Sequence, residues 1–345
     1  MLSLKITAPY EIQKDISEER TCPLPDNSVL IKIKRVSLCG SDIRLYKGQY
    51  NGPCCYPIIF GHEWSGEIIK VGNGVKDYSP GDRVTGDCSC FCGKCSNCKD
   101  DKNLCINIEK FGITKDGYAK DIALADEKYI YKAPSDISFD VLALCEVFAV
   151  AAHAIKRSGF KAGVNKKVMI IGCGAVGLAA LLLLYKHYGC YDISVNERSE
   201  VKLHKLQDIF PEIFKDIKLV REEKKQIGGY RDIYDDSVFD YIFDASGTVK
   251  GLSYALCKAC TGGTISYIGL DDEPLEMSKL ITLKALKISG SVGGTGEFEE
   301  VLLFLQKHQN IVQRMVTFEV EADKAEEAFF QAIHNEENIK SQIIF

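Results

Sequence analysis

The pattern of apolar and polar positions differs between successive stretches of the chain. Over about the first 145 residues the apolar runs are short, as in VLIKIKRV (29–36) and YAKDIAL (118–124), and Gly, Pro, Asp and Asn separate them. This pattern is typical of β-rich, irregular structure. At DVLALCEVFAVAAHAIKR (140–157), apolar residues recur at helical spacing and basic residues close the segment, which predicts a helix.

From residue 167 to about 283, strand-like segments alternate with helical ones. The strand candidates are KVMIIG (167–172), YDISVNE (191–197), FDYIFDASG (239–247) and GTISYIG (263–269). Such alternation predicts a parallel sheet with helices on both faces. The segment VMIIGCGAVGLAALLLLY (168–185) is uncharged and about as long as the shortest membrane span. Its early glycines favour a strand, a turn and a buried helix, so we expect no membrane partner.

Composition narrows the classes of function. The 345 residues carry a net charge of −5, from 43 basic and 48 acidic residues, which argues against a nucleic-acid partner. The first residues, MLSLKITAPYEIQ, show no secretory signal. The 15 cysteines therefore indicate a reducing compartment, the cytoplasm, where clustered cysteines bind metal more often than they pair.

A glycine-rich loop between a strand and a helix predicts a dinucleotide site. Glycines in G-x-G-x-x-G spacing let the chain turn tightly and let a pyrophosphate approach the backbone. The residues predicted to hold the pyrophosphate are Gly172, Gly174, Ala175, Val176 and Gly177. Glu197 follows at roughly the 20-residue separation expected of the acid that binds the ribose hydroxyls, so NAD is favoured. Arg198 is the reason to keep NADP as the lesser alternative, because an arginine can receive the 2′-phosphate.

The cysteine-rich stretch GDCSCFCGKCSNCKDDKNLC (86–105) predicts a metal lobe. Its spacing begins like an iron–sulfur motif, but the fourth cysteine comes too late and no proline follows it. We favour a closed, structural zinc site over a cluster. The expected ligands are Cys92, Cys95, Cys98 and Cys105. Cys88 and Cys90 are then spare, or one of them replaces a member of the set.

A second constellation of metal-ligand types lies upstream. The motif CGSD supplies Cys39, Ser41 and Asp42, and GHEWSG supplies His62 and Glu63. A catalytic zinc takes three protein ligands and leaves one position for water or substrate. Without further support, a small buried cysteine and a hydrogen-bonded loop histidine are the favoured explanation of these residues.

The motifs together resemble the medium-chain, zinc-dependent alcohol dehydrogenases. The resemblance runs through CGSD, GHEWSGEIIKVGNGVKDYSPGDRV, the cysteine lobe, DGYA, the glycine loop and LKISGS. It implies an α/β fold with a GroES-like catalytic domain at 1–147 and 285–345, a zinc lobe at 88–105, and a Rossmann NAD-binding domain at 148–284. It also implies that Cys39 and His62 bind the catalytic zinc, with Glu63 as an adjacent or alternating ligand.

The resemblance places the third zinc ligand in CEVFAVAAHA. In the polyol, sugar and threonine branches a carboxylate stands at the position of Glu146. The proline that usually follows is Val147 here, and a shift of one residue would make Cys145 the ligand instead. The spacing of the lobe also departs from the family's by one residue, since six residues and not seven separate Cys98 from Cys105.

The resemblance implies oxidation of a secondary alcohol. Zinc would polarise the substrate oxygen, the nicotinamide would accept hydride, and Ser41 would pass the proton on. Relatives carry a histidine where this chain has Arg44. We expect a polyol, sugar, sugar phosphate or (amino)cyclitol as substrate, and a homodimer or homotetramer as the assembly. The alternatives are oxidation of an amino alcohol such as L-threonine, and a non-catalytic NAD-binding zinc protein.

Overall fold

The computed structural model describes residues 1–17, 23–164, 167–220, 229–234 and 238–345. These residues form two compact units, of which unit 1 comprises 1–149 and 293–345, and unit 2 comprises 150–292. Each unit contains its own sheet and its own hydrophobic core.

Short strands dominate the first part of unit 1. They are β1 (Leu2–Ala8), β2 (Glu11–Ile16), β3 (Ser28–Ser37), β4 (Ile58–Ile59), β5 (Glu63–Val71), β6 (Arg83–Gly86), β7 (Ser89–Cys90), β8 (Glu109–Lys110), β9 (Ile122–Asp126) and β10 (Ile130–Lys132). The helices in this part of the chain are α1 (Gly40–Tyr46), α2 (Ser96–Asp100), α3 (Phe139–Leu142) and α4 (Cys145–Arg157).

The helix predicted at 140–157 is interrupted in the structure. The segment forms α3 and α4, with Ala143 and Leu144 between them. The amide of Leu144 bonds to the carbonyl of Val141, a tighter i→i−3 bond that ends α3. This break places Glu146 in the first turn of α4.

Unit 2 is a doubly wound parallel sheet. Its strands are β11 (Val168–Ile171), β12 (Ile193–Asn196), β13 (Lys218–Leu219), β14 (Phe239–Asp244), β15 (Ala259–Tyr267) and β16 (Lys287–Gly290). Its helices after α4 are α5 (Ala175–Leu182), α6 (Glu200–Ile209), α7 (Pro211–Phe214), α8 (Tyr230–Tyr234), α9 (Val249–Lys258) and α10 (Lys279–Leu283). The spatial order β13-β12-β11-β14-β15-β16 is the 3-2-1-4-5-6 order of a Rossmann sheet, and neighbouring strands are parallel.

The strand, turn and helix predicted at 168–185 are present. β11 is fully buried, Gly172 turns the chain, and α5 follows at Ala175. Among the described residues, we find no helix with both the length and the apolar character that crossing a membrane requires. The predicted α/β fold class is therefore confirmed.

The last part of the chain completes unit 1. Its elements are α11 (Phe298–Val312), β17 (Val316–Glu321), α12 (Ala325–His334) and β18 (Lys340–Ile344). The main sheet of unit 1 has the order β10-β6-β5-β3-β18-β17, with β9 also paired to β3. On β3 the alternating residues Val29, Ile31 and Ile33 are fully buried, which is the period-two pattern of a strand with one face in the core. The sheet thus brings β18 next to β3, a strand from the first 37 residues.

Candidate active site

Three of the predicted metal-binding residues converge in unit 1. Cys39 immediately precedes α1, His62 immediately precedes β5, and Glu63 begins β5. One ligand atom from each residue lies within 4.8 Å of the other two. His62 and Glu63 are buried, and Cys39 is half-buried. A thiolate, an imidazole and a carboxylate are all donors that zinc accepts, so this group fits a zinc ion.

Asp42 contacts two of these three residues, Cys39 and His62. Its Oδ2 accepts the backbone N–H of Cys39 at 2.8 Å, and its Oδ1 accepts that of Gly61 at 3.2 Å. The same Oδ1 is 3.6 Å from Nδ1 of His62. A carboxylate beside a ligating histidine fixes the ring and leaves the other nitrogen for the metal. The motif CGSD contains Asp42, and its position three residues after the N-cap is a capping-box signal that would have indicated this role.

Ser41 lies on the opposite side of the imidazole. Its Oγ is 3.3 Å from Nε2 of His62. Burial alone would lower the pKa of His62, but the charge of Asp42 and a hydrogen bond with Cys39 raise this pKa to about 10. A bound cation replaces that proton, because the metal takes the lone pair that the proton would occupy.

Glu63 is held by a lysine from the other end of the chain. Nζ of Lys340 is 2.7 Å from Oε1 and 2.6 Å from Oε2 of Glu63, and it also donates to the carbonyl of Leu38 at 3.0 Å. Burial alone would lower the pKa of Lys340, but the charges of Glu63 and Cys39 raise it. Sequence analysis misses Lys340 because 277 residues separate it from Glu63 and no local motif marks it. The charge of Glu63 is thereby neutralised whether or not it contacts a metal.

Glu146 lies beside this group, but its carboxylate is not within 4.8 Å of all three ligand atoms. It is buried in the first turn of α4, and its charge acts on His62. Burial raises the pKa of Glu146, while the charge of His62 and a hydrogen bond with the thiol of Cys88 lower it. The neighbouring Cys145 is fully buried, and burial raises its pKa well above the usual range.

The four expected lobe cysteines form a compact group around α2. The Sγ–Sγ distances are 3.4 Å for Cys95–Cys98, 3.5 Å for Cys92–Cys105, 3.9 Å for Cys95–Cys105 and 4.0 Å for Cys92–Cys98. Four sulfurs at about 2.3 Å from a tetrahedral zinc are about 3.8 Å apart. The group therefore fits one zinc ion.

Cys88 and Cys90, the other two cysteines of the stretch 86–105, contact residues other than the four lobe cysteines. Sγ of Cys90 is 3.3 Å from the hydroxyl of Tyr129, and Sγ of Cys88 is 3.9 Å from Nζ of Lys110. Within the lobe, the amides of Lys94 and Cys95 help to lower the pKa of Cys92 to about 6. Thiolate character at this position suits a metal ligand.

The glycine loop of unit 2 has room for a phosphate. A Cβ on Gly177 would lie 1.9 Å from the carbonyl oxygen of Gly172, so this glycine allows α5 to pack closely. A Cβ on Gly174 would meet nothing within 4 Å, which leaves the backbone open to a ligand. Ala175 and Val176 are half-buried in the first turn of α5. The loop therefore fits the pyrophosphate of a dinucleotide.

A cavity of about 1200 Å³ adjoins this loop, and Glu197, Arg198 and Lys202 line it. Oε2 of Glu197 accepts the N–H of Cys173 at 2.8 Å, and Oε1 accepts that of Ser199 at 3.0 Å. The carboxylate is thus fixed at the end of β12, against the loop that would carry the pyrophosphate. Arg198 and Lys202 place two positive charges near it.

Comparisons with known proteins agree across both units. A family model described as "Alcohol dehydrogenase GroES-like domain" matches residues 25–135, and one described as "Zinc-binding dehydrogenase" matches residues 175–307. An uncharacterized zinc-type alcohol dehydrogenase-like protein of Haemophilus influenzae is 33% identical over 85% of both chains. A sorbitol dehydrogenase of Halalkalibacterium halodurans is 28% identical over 94% of this chain and 93% of its own.

Two further comparisons bear on substrate and cofactor. A D-arabitol-phosphate dehydrogenase of Enterococcus avium is 30% identical over 71% of this chain and 68% of its own. An Escherichia coli CFT073 alcohol dehydrogenase, solved with NADH, has a TM-score of 0.86 and 25% identity over 100% of this chain and 99% of its own.

Proposed function

This chain belongs to the medium-chain, zinc-dependent alcohol dehydrogenases, and from that premise we propose that it oxidises a secondary alcohol of a polyol, sugar, sugar phosphate or (amino)cyclitol. The balanced reaction is alcohol plus NAD⁺ giving ketone, NADH and H⁺. The observation that supports a catalytic role is the convergence of Cys39, His62 and Glu63 beside the buried carboxylate of Glu146. A purely structural protein has no need of a second metal group with mixed donors.

The roles of the residues follow from this geometry. When bound, zinc would supply a Lewis acid for the substrate oxygen, and the nicotinamide would supply the hydride acceptor. We assign Cys39, His62 and Glu146 as the ligands of that zinc, with Glu63 exchanging at one position. Asp42 orients His62, and Lys340 keeps Glu63 charge-balanced. We assign the second zinc to the lobe cysteines.

Ser41 is the group that we assign to the first proton transfer. Its hydroxyl contacts Nε2 of His62, the nitrogen that Asp42 leaves free, so it stands next to the position of the metal. A hydroxyl both accepts and donates a hydrogen bond, so Ser41 can take the substrate proton while passing its own onward. Arg44 is exposed and is not needed for this first step.

We propose NAD rather than NADP as the cofactor. The carboxylate of Glu197 lines the cavity at the place where an acid binds ribose hydroxyls, and its charge would repel a 2′-phosphate. Arg198 and Lys202 line the same cavity, and their positive charges reduce that repulsion. The fixed orientation of Glu197 by two backbone amides favours the ribose role.

NADH formation tests the function and its metal assignment together. The zinc-loaded protein is assayed at alkaline pH with sorbitol, galactitol 1-phosphate, myo-inositol, a scyllo-inosamine, L-threonine and ethanol. We expect a polyol-type substrate to respond, whereas a strong response to L-threonine alone would favour amino-alcohol oxidation. Glu146→Ala should lose activity while keeping its fold and lobe zinc, and Cys145→Ala should stay active. The reverse pattern would reassign the ligand, and silence of the zinc-replete protein on all six would favour the non-catalytic alternative.

The assembly is a proposal that rests on the family alone. We propose a homodimer or homotetramer that acts in the cytoplasm. Light scattering on the eluted protein measures the assembly directly, and a monomer at micromolar concentration would contradict it.

A further inference from the structure

The segment DGYA (116–119) lies against the stretch of chain that leads into His62. Three of its backbone N–H groups donate to the three carbonyls that precede His62. The pairs are Gly117 to Ile59 at 2.6 Å, Tyr118 to Gly61 at 2.8 Å, and Ala119 to Phe60 at 3.0 Å. Oδ1 of Asp116 also accepts the N–H of Ile59 at 3.0 Å. Four hydrogen bonds therefore hold residues 59–61 against this segment.

The two segments approach each other more closely than a side chain between them would allow. A Cβ on Gly117 would lie 2.3 Å from the carbonyl oxygen of Gly61 and 2.6 Å from that of Phe60. Gly61 has a φ of +85°, and a Cβ there would lie 2.6 Å from Cγ1 of Val36. Its N–H donates to Oδ1 of Asp42 at 3.2 Å. The backbone of Gly61 is therefore fixed from two directions, directly before the histidine of the metal group.

The ring of Tyr118 contacts the residue on the other side of the pair His62–Glu63. It stacks on the indole of Trp64, with the ring centroids 4.3 Å apart and the planes inclined by 19°. Both side chains are buried, and Trp64 directly follows Glu63 in the chain. Tyr118 thus holds the chain before His62 with its backbone and the chain after Glu63 with its ring.

We propose that Tyr118 is a positioning residue for the zinc of the candidate active site. By holding the residues before and after the pair, it fixes the backbone of His62 and Glu63 and so the direction from which their donor atoms meet the metal. Asp42 orients the imidazole ring, whereas Tyr118 orients the main chain that carries this ring. The inference rests on the proposed function, and it gives the motif DGYA a role at the metal.

Positioning and simple core packing predict different results for this tyrosine. A metal site needs its ligands held to within about 0.5 Å by the residues around them, so a loosened backbone weakens metal binding. Tyr118 and Trp64 also belong to a hydrophobic core cluster of unit 1, and removing a ring from that cluster lowers stability whatever the metal does. The zinc affinity of the group that contains His62 is therefore the readout that separates the two roles.

Zinc affinity, measured separately at the two metal groups, tests the proposal. Competition with a chelator, followed by elemental analysis, resolves one step for each group, and Cys39→Ser and Cys98→Ser identify which step belongs to which group. Tyr118→Leu should weaken zinc binding at the candidate active site by roughly 10- to 100-fold, the usual cost of losing support around metal ligands. Zinc binding at the lobe should not change. An unchanged affinity at the candidate active site would overturn the proposal.

Two further variants separate the stacking contact from a general loss of stability. Tyr118→Phe keeps a ring on Trp64 and should keep the zinc affinity. Tyr131→Leu makes the same substitution in another stacked pair of unit 1, Tyr131 with Phe298, whose ring centroids are also 4.3 Å apart. It should lower the melting temperature of the zinc-free protein but leave both zinc affinities unchanged. A loss at the candidate active site in both Leu variants would mean that the affinity follows the stability of unit 1, and it would overturn the proposal.

Asp116 provides a test that leaves the core intact, because its side chain is exposed. Asp116→Ala removes the acceptor of the Ile59 N–H and should weaken zinc binding at the candidate active site by roughly 2- to 10-fold, the value of one ordinary hydrogen bond. Asp116→Asn keeps an acceptor oxygen and should restore the affinity. If Tyr118→Leu does not fold, an unchanged affinity in Asp116→Ala would overturn the proposal by itself.

The binding measurement needs no turnover, so it also separates this inference from the proposed function. Weaker zinc binding by Tyr118→Leu, in a protein inactive on all six substrates, would keep the positioning role and reject the dehydrogenase. Turnover by the wild type with equal zinc affinity in both proteins would do the reverse. Zinc binding by the wild type that is insensitive to Cys39→Ser would reject the metal assignment and the positioning role together.

Discussion

The ion pair between Glu63 and Lys340 makes the most direct prediction for stability. The side chains are 0% and 3% exposed, and the two N–O distances are 2.7 and 2.6 Å. Lys340→Met removes the ammonium and leaves a buried carboxylate without its partner. Removing one member of such a pair costs about 3 to 5 kcal/mol, because the remaining charge is neither solvated nor compensated.

This magnitude translates into a large shift of the melting temperature. A unit of unit 1's size, about 200 residues, shifts by roughly 2 to 4 °C per kcal/mol, so we expect a loss of about 6 to 20 °C. The loss should appear in the transition that unfolds unit 1, since both residues and the carbonyl of Leu38 belong to it. Removing both charges should be less damaging than removing one, because Glu63→Gln combined with Lys340→Met leaves no buried ion behind.

The assay is a double-mutant cycle by scanning calorimetry on the zinc-stripped proteins, so that no bound cation compensates the charge of Glu63, with the metal content of each protein measured. Its members are the wild type, Glu63→Gln, Lys340→Met and the double variant. Lys70→Met removes an exposed lysine from β5, the strand of Glu63, and should change stability by less than about 0.5 kcal/mol. A loss below about 1 kcal/mol for Lys340→Met, or strict additivity in the cycle, would refute a coupled buried pair.

Three further predictions concern other parts of the chain. Glu197→Gln should lower the NAD-to-NADP ratio of kcat/KM by about tenfold or more, since it removes a charged acceptor for the ribose hydroxyls; an unchanged ratio would contradict the NAD assignment. Burial raises the pKa of Asp244 to about 6, from a usual value of 3.8, so the folded state favours the neutral carboxyl. The stability from this group is present below about pH 4 and is lost as the pH rises through about 6, so Asp244→Asn should be more stable than the wild type by roughly 3 kcal/mol at pH 8 in urea titrations. A gap that persists at pH 4 would point to packing instead. Cys98→Ser should lose one zinc per chain by elemental analysis and lower the melting temperature, while calorimetric binding of NADH stays intact; an unchanged metal content would reject the four-cysteine site.

Local patterns predict much of the fold. The segments KVMIIG and FDYIFDASG are strand candidates rich in apolar residues, and they form the central strands β11 and β14 in the structure. The break at Ala143 and Leu144 is not predicted, because the apolar spacing continues through it. A change from i→i−4 to i→i−3 bonding leaves no trace in that periodicity.

The chemistry is predictable where the groups are close in the sequence. Cys92, Cys95 and Cys98 are three residues apart, and the turn that such spacing allows brings their sulfurs together. The family resemblance is confirmed by the comparisons over both units, but it names a class of reaction and not a substrate. Charged residues outside the motifs also contact residues of the motifs, as Lys340 contacts Glu63.

Contacts between separate segments bring those charged residues to their partners. Lys340 reaches Glu63 because β18 joins the sheet that contains β5, and Lys110 reaches Cys88 because a two-residue pairing of β7 with β8 folds the lobe back on itself. Neither lysine has a periodic or compositional signal, since a lysine on a short strand is usually solvated. Motifs that bind metal and cofactor must keep fixed spacing, whereas a substrate's charge can be met from any nearby segment.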